Sequence, residues 1–339
     1  MKTLFFTAAA AALLCSCGKE PVCEHTPAPD TQGAAVTLSF DAGSSRTKSF
    51  FDPTAAAESW EKSLSSVCVL VFGADGRLLV QRNFTDSELS AKKATFAIPN
   101  ALAGQNCDFY VVNKTVGGIS GKTALMTLSE TTPAEYNGTF AEVSAQAKRS
   151  GGFVMTGHTT KAIAAQGTKT DVAVTLERTV AKIAVQASTT AEFSERYSGK
   201  VRINSAVLSK AASRSNLIAQ QTPNTGPMTF THTQAADELS GKFRNLFYVP
   251  ENGELAEGSR LLLTLGATYD RDGNFSTTDD QAEVTYPVEL SGDGAGRFLR
   301  NGYYRVQALI DGLTGSELSV SISVADWEAP VTQSVNLGQ

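Results

Sequence analysis

The sequence predicts an all-β protein of two tandem β-sandwich domains with a few short helices. Three observations predict it. From Val36 onward apolar residues recur mostly with period two, the spacing of a half-buried strand, and not with the helical period of 3.6. Turn signals punctuate the chain at Asp75-Gly76, Gly117-Gly118, Asn224 to Pro227, Asn252-Gly253, Asp272-Gly273 and Asn301-Gly302. The length, 339 residues at 42% hydrophobic and 19% charged, suffices for two packed cores at roughly 150 residues each.

The first element is a leader. Met1-Lys2-Thr3 is a short basic start and Leu4 to Leu14 is an Ala-rich apolar run. Crossing ~30 Å of hydrocarbon takes about 20 helical residues, so this run reads as a secretory signal and not a membrane span. It ends Leu14-Cys15-Ser16-Cys17, which matches the lipobox of bacterial lipoproteins. Leu14 stands at −3 and Ser16 at −1 from Cys17. Removal of residues 1–16 leaves Cys17 as the lipidation site, and each buried CH₂ of its acyl chains adds ~0.8 kcal/mol of membrane affinity. Residues 17–35 hold Pro21, Pro27 and Pro29 with few apolar residues, a lipidated tether.

Strands follow. Val36 to Phe40 is the first. Val67 to Phe72, Phe109 to Val112, Phe247 to Val249 and Leu261 to Leu265 are continuous apolar runs. Alternation marks Val172 to Leu176, Ile183 to Val185, Ala282 to Leu290 and Leu318 to Val324. Two helices interrupt them. Asp52-Pro53 supplies an N-cap and an N1 proline for a helix over Thr54 to Leu64. Pro133 to Lys148 places Phe140, Val143 and Ala147 near one face, although Gly138 weakens it by about 1 kcal/mol. The small polar stretch Ala162 to Thr170 precedes the domain boundary, with residues 36–172 as the first domain and 173–339 as the second.

Composition excludes several chemistries. The formal charge is −5, so a nucleic-acid partner is not expected. Three His and five Cys make a metal-rich centre or disulfide scaffold improbable. His25 lies in the tether, and His158 and His232 read as loop residues without a nearby acidic partner in sequence. Cys68 and Cys107 lie in apolar strands, either as free core thiols or as an oxidised pair. No GxSxG, HExxH or Walker sequence occurs. Gly292 to Arg297 lies between strands, without the helix N-terminus that a phosphate cradle needs. Asp270 to Asp280 offers oxygens at alternate positions, but Gly273 and Gln281 depart from an EF-hand loop, and a hairpin turn accounts for the same residues. No catalytic residue, cofactor or metal ligand is assigned, and Trp60 and Trp327 read as core anchors.

The assembled features resemble the Bacteroidales fimbrillins, the type V pilin superfamily. The residues that carry the resemblance are the lipobox at Cys17, Val36-Thr-Leu-Ser-Phe40 followed by Ser45-Arg46-Thr47-Lys48, Leu64 to Leu79 with its Asp75-Gly76 turn, Phe109-Tyr-Val-Val-Asn113, Leu176 to Val185, and Asn301 to Val306 through Val324-Ala-Asp-Trp327. The resemblance implies transthyretin-like Greek-key sandwiches, export as an outer-membrane lipoprotein carrying fatty acyl chains such as palmitate, and a role in adhesion as a subunit of a cell-surface fimbria. It implies cleavage between Arg46 and Thr47 by an Arg-specific protease, which would remove strand Val36–Phe40. Another pilin, of the same or another type, would then fill the gap by β-augmentation. The donor candidates are Leu318, Val320, Ile322, Val324, Val331, Val335 and Leu337, which could equally form an ordinary intramolecular strand. The role stays open between a stalk subunit, an anchor or tip subunit that does not polymerise, and a surface lipoprotein that binds glycans or host proteins.

Overall fold

A computed structural model describes residues 34–39, 51, 57–98, 104–131, 136, 138–145, 152–165 and 168–326. Nineteen strands lie among the described residues. In the first half they are β1 (Ala34–Ser39), β2 (Cys68–Phe72), β3 (Leu78–Asn83), β4 (Lys93–Ile98), β5 (Asn106–Val112), β6 (Ser129–Thr131), β7 (Met155–Ala162), β8 (Thr170–Ala173) and β9 (Glu177–Arg178). The second half holds β10 (Val180–Thr189), β11 (Lys200–Ala211), β12 (Arg214–Asn216), β13 (Phe230–Ala235), β14 (Asp237–Leu239), β15 (Lys242–Pro250), β16 (Leu262–Asp270), β17 (Gln281–Glu289), β18 (Gly302–Ile310) and β19 (Leu318–Asp326).

Two layered units result. In the first, a sheet of order β4-β1-β8 faces a sheet of order β3-β2-β5-β7-β9. Between them Val36, Leu38, Val69, Val71, Phe109, Val111, Met155 and Val172 form one core. In the second, sheet β14-β15-β10-β18-β19 faces sheet β13-β11-β16-β17. Ile183, Val185, Leu208, Phe247, Leu263, Leu265, Tyr286, Tyr304 and Val306 fill that core. The layout repeats. The first strand of each unit is central in its sheet, antiparallel on one side and parallel on the other: β1 between β4 and β8, β10 between β15 and β18. Two faces must be covered on such strands, which is why β10 is almost continuously buried.

A third hydrophobic cluster joins the units, with Trp60, Tyr136, Phe140, Phe153, Val180, Leu246, Tyr248 and Tyr303. At its centre Glu61 is fully buried. Its carboxylate accepts from Lys182 Nζ at 2.7 Å and from the Tyr248 hydroxyl at 2.6 Å. Arg178, also fully buried, donates to the Glu61 carbonyl at 2.8 Å and to Asn301 Oδ1 at 2.8 Å. A buried carboxylate is tolerated only when so satisfied. Strands β6 and β12 pair antiparallel across the same seam.

The helices are shorter than the sequence pattern predicts. Where the sequence predicts a helix over residues 54–64, the described residues 57–64 hold a 3-10 turn, Trp60–Lys62, and residues 52–56 lie outside the described residues. Backbone bonds from Glu61 N to the Glu58 carbonyl at 3.0 Å, Lys62 N to Ser59 at 3.2 Å and Ser63 N to Trp60 at 3.2 Å close this turn. In the 133–148 region the described helix is only Phe140–Ser144. Thr139 caps it, in a capping box with Glu142, so the chain is committed to start at Thr139 and Gly138 falls outside the helix. Three further short helices occupy Asp86–Ala91, Lys122–Met126 and Ala191–Arg196.

Candidate assembly interface

Strand β1 ties its sheet together. It pairs antiparallel with β4 from Ala34↔Ile98 to Ser39↔Lys93, and parallel with β8 from Val36↔Thr170 to Ser39↔Ala173. Neither β4 nor β8 has another ladder partner among the described residues. Val36 and Leu38 point into the first core, both with 0% exposure. Thr37 lies on the other face, also buried, with its hydroxyl 3.2 Å from that of Thr95. If β1 left, β4 and β8 would stand about two strand spacings apart, roughly 10 Å. Their N–H and C=O groups would be unpaired on both sides of an apolar slot, the geometry that accepts an added strand.

Strand β19 sits at the opposite kind of position. It is an edge strand, paired antiparallel with β18 from Leu318↔Ile310 to Asp326↔Gly302. Leu318, Val320 and Ile322 pack against the second core, while Val324 is 48% exposed. Serines alternate with them, as the period-two pattern requires. The structure thus places these four donor candidates in an intramolecular strand, away from β1. Cys17, Arg46, Thr47, Val331, Val335, Leu337 and Trp327 lie outside the described residues.

Other singled-out residues have structural surroundings. Cys68 and Cys107 are buried thiols whose side chains belong to clusters on opposite faces of the β2–β5 sheet, so an oxidised pair of the two is excluded by geometry. Neither His158 nor His232 is a loop residue. His158 lies on β7, 3.3 Å from Asp108 Oδ1 and stacked on Tyr110. Burial works to raise the Asp108 carboxyl, but hydrogen bonds from Lys122, Thr160 and His158 outweigh it and hold the group below its ordinary range. Sequence reasoning missed this cluster because Asp108 and His158 meet only through the β5–β7 register. His232 is fully buried on β13 between Phe230 and Phe247. Burial lowers its pKa to about 4, with the nearby Tyr136 backbone offsetting part of the effect.

The Asp270–Asp280 segment is the turn of the β16–β17 hairpin. Carboxylate oxygens of Asp270, Asp272 and Asp280 lie within 4.8 Å of one another. Asn274 N donates to Asp270 Oδ1 at 2.9 Å and to Asp272 Oδ1 at 2.7 Å, which satisfies the turn locally. Among the described residues no helix is long and apolar enough to cross a membrane.

Comparison with known proteins places this arrangement. A fimbrilin, FimA, from Porphyromonas gingivalis superposes with a TM-score of 0.57 at 16% identity, covering 87% of this chain and 98% of that one. The tip fimbrial protein Mfa3 of the same organism superposes at 0.53 and 15% identity, covering 86% and 100%. A candidate cell adhesion protein from Parabacteroides distasonis gives 0.60 and 15%, covering 89% and 99%. At these identities the likeness is one of fold. No curated protein matches the chain. The model of the fimbrillin-A associated anchor proteins Mfa1 and Mfa2 matches residues 20–331, nearly the whole chain, and this protein therefore belongs to that family.

Proposed function

We propose that this chain is a structural subunit of a cell-surface fimbria that assembles by strand exchange. In this reading it is exported as a lipoprotein acylated at Cys17 and held at the outer membrane. An Arg-specific protease then cuts between Arg46 and Thr47, and the freed N-terminal segment leaves with β1. A strand from the C-terminal segment of another subunit, drawn from Leu318 to Leu337, takes its place. The observation that supports this most is the position of β1: the strand between β4 and β8 that fills the first core with Val36 and Leu38, seven residues before Arg46. A cut after β1 would leave that strand held to the folded chain by its hydrogen bonds and side-chain packing alone, whereas β10 stays covalently joined to the first unit through β9.

Treating the purified precursor with trypsin tests it. One early cut at Arg46–Thr47, followed by a ladder of oligomers on a denaturing gel, is expected. A second reading has support from the family itself, whose members are described as anchor proteins. An anchor keeps its lipid and its β1, so cutting without oligomers, or lipid on Cys17 in assembled fimbriae, would favour that role and end the polymerising one.

A further inference from the structure

One edge strand of the second unit lacks the usual protection against pairing with another chain. The two sheets of that unit end in β13, β14, β17 and β19. Strand β14 has only three residues, the β11–β13 ladder is broken by a bulge between Leu208 and Ala211, and β17 carries Glu283, Pro287 and Glu289. Short length, bulges, proline and charge all deter edge-to-edge pairing. Strand β19 has none of them. Its ladder with β18 runs for nine residues without a register shift, and from Leu318 to Ala325 it holds no charge, proline or glycine. Leu318, Val320 and Ile322 are only partly buried, and Val324 is 48% exposed. Among the described residues nothing pairs with its outer edge. We infer that this edge is an interaction surface whose partner is the same strand of a second copy of this chain, joined antiparallel about a two-fold axis at Ser321.

The backbone fixes which groups are available. Asp311 N donates to the Glu317 carbonyl at 2.9 Å, while Ile310, opposite Leu318, turns its carbonyl the other way to Thr190 N at 3.0 Å. Bonded residues alternate along an antiparallel ladder. Ser319, Ser321 and Ser323 therefore bond to β18, and the N–H and C=O groups of Leu318, Val320, Ile322 and Val324 face outward. The side chains then select the partner. Leu318-Ser-Val-Ser-Ile-Ser-Val324 reads apolar and serine in the same order from either end. Pairing about Ser321 sets Leu318 opposite the partner's Val324 and Val320 opposite the partner's Ile322, with serine opposite serine on the other face. All the outward N–H and C=O groups of these four apolar residues gain partners, and the exposed Val324 is covered. A slip of one residue sets apolar side chains against serines and aligns outward groups with groups already bonded to β18. Moving the axis to Ile322 sets Leu318 opposite an aspartate, and moving it to Val320 sets Val324 opposite a serine. Charge agrees with the central register. The flanking Glu317 and Asp326 fall opposite the partner's Ala325 and the partner's Ser316, so no like charges meet.

Disulfide trapping on the uncut, full-length chain tests partner and register together. Cys15, Cys17 and Cys23 are replaced by serine, and Cys68 and Cys107 are buried. Ser321 stands opposite its own copy in a pair without backbone bonds, where Cα atoms lie about 4.5 Å apart, within disulfide range. Ser321→Cys should therefore give a disulfide-linked dimer on a non-reducing denaturing gel. Ser319→Cys alone should give none, because its two copies stand about 14 Å apart along the strands. Mixed with Ser323→Cys it should link. Sedimentation equilibrium supplies a second readout. Ser321 is exposed, so Ser321→Lys and Ser321→Glu leave the fold intact. Each places like charges at the axis and should weaken self-association up to about fivefold, and an equimolar mixture of the two should restore it. A parent chain that sediments as a monomer at every concentration, or Ser319→Cys linking as readily as Ser321→Cys, would overturn the inference. No cut is made, so either result leaves the strand-exchange reading to its own trypsin test.

Discussion

Two buried polar residues show how much a single side chain decides. His232 sits neutral among aromatic rings, its pKa near 4 in the folded protein against about 6.5 in an unfolded chain. The folded state therefore binds fewer protons than the unfolded state between those values, and stability falls as pH drops from about 6.5 towards 4. The loss attributable to this one residue approaches 3 kcal/mol, at 1.36 kcal/mol for each pKa unit. His232→Leu should flatten that limb: denaturant midpoints at pH 7 and pH 4.5 should lie closer together than in the parent protein. An unchanged pH dependence would remove His232 from the account. Glu61 makes the opposite point, because its charge is kept in the interior by Lys182 and by a hydroxyl from Tyr248. Burial first, and the Glu61 charge second, push the Tyr248 phenol well above its ordinary range, so it remains a donor at all physiological pH.

At the scale of elements, β1 is the strand on which the first core depends. Leu38 is fully buried, and truncation to alanine should cost about 2–5 kcal/mol through lost burial and the cavity left behind. Urea unfolding of Leu38→Ala would show it as a lowered midpoint with an unchanged slope. A cost under 1 kcal/mol would mean that β1 is dispensable to the fold, and the slot would then offer little to an incoming strand. The strands themselves were legible: the continuous runs became β2, β5, β15 and β16, and the alternating ones β17 and β19. Long strands such as β7 and β11 carried a weaker signal. Threonine, lysine and serine interrupt their alternation, and partner strands supply the order that the sequence pattern lacks. Helices were overestimated, because capping by Thr139 and the buried Glu61 set the ends, and neither depends on helical periodicity.

For the whole molecule, the seam between the units matters most. Arg300 clasps Glu251 with both side chains nearly buried and also donates to the carbonyls of Asn216 and Leu217. Leu217 in turn accepts from Thr156 of the first unit at 2.8 Å. With β6–β12 and the Glu61 cluster, this should make the two units unfold together. Far-ultraviolet circular dichroism and intrinsic fluorescence should report one coincident transition in denaturant. Arg300→Ala leaves Glu251 buried without its partner and should destabilise that single transition by about 3–5 kcal/mol. Two separated transitions in the parent protein would show that the seam does not couple the units.

The sequence by itself determined the β class, the turn positions and the absence of any familiar catalytic motif, since all of these are encoded by neighbours along the chain. Period-two hydrophobicity dictates a strand whatever its partner. Tertiary structure alone decided which strands pair, and so that β1 bridges β4 and β8 while β19 stands at an edge. It also brought Glu61 to Lys182, Asp108 to His158 and Arg300 to Glu251. These partners lie tens to more than a hundred residues apart, and their meeting depends on sheet register and burial, which no local pattern contains.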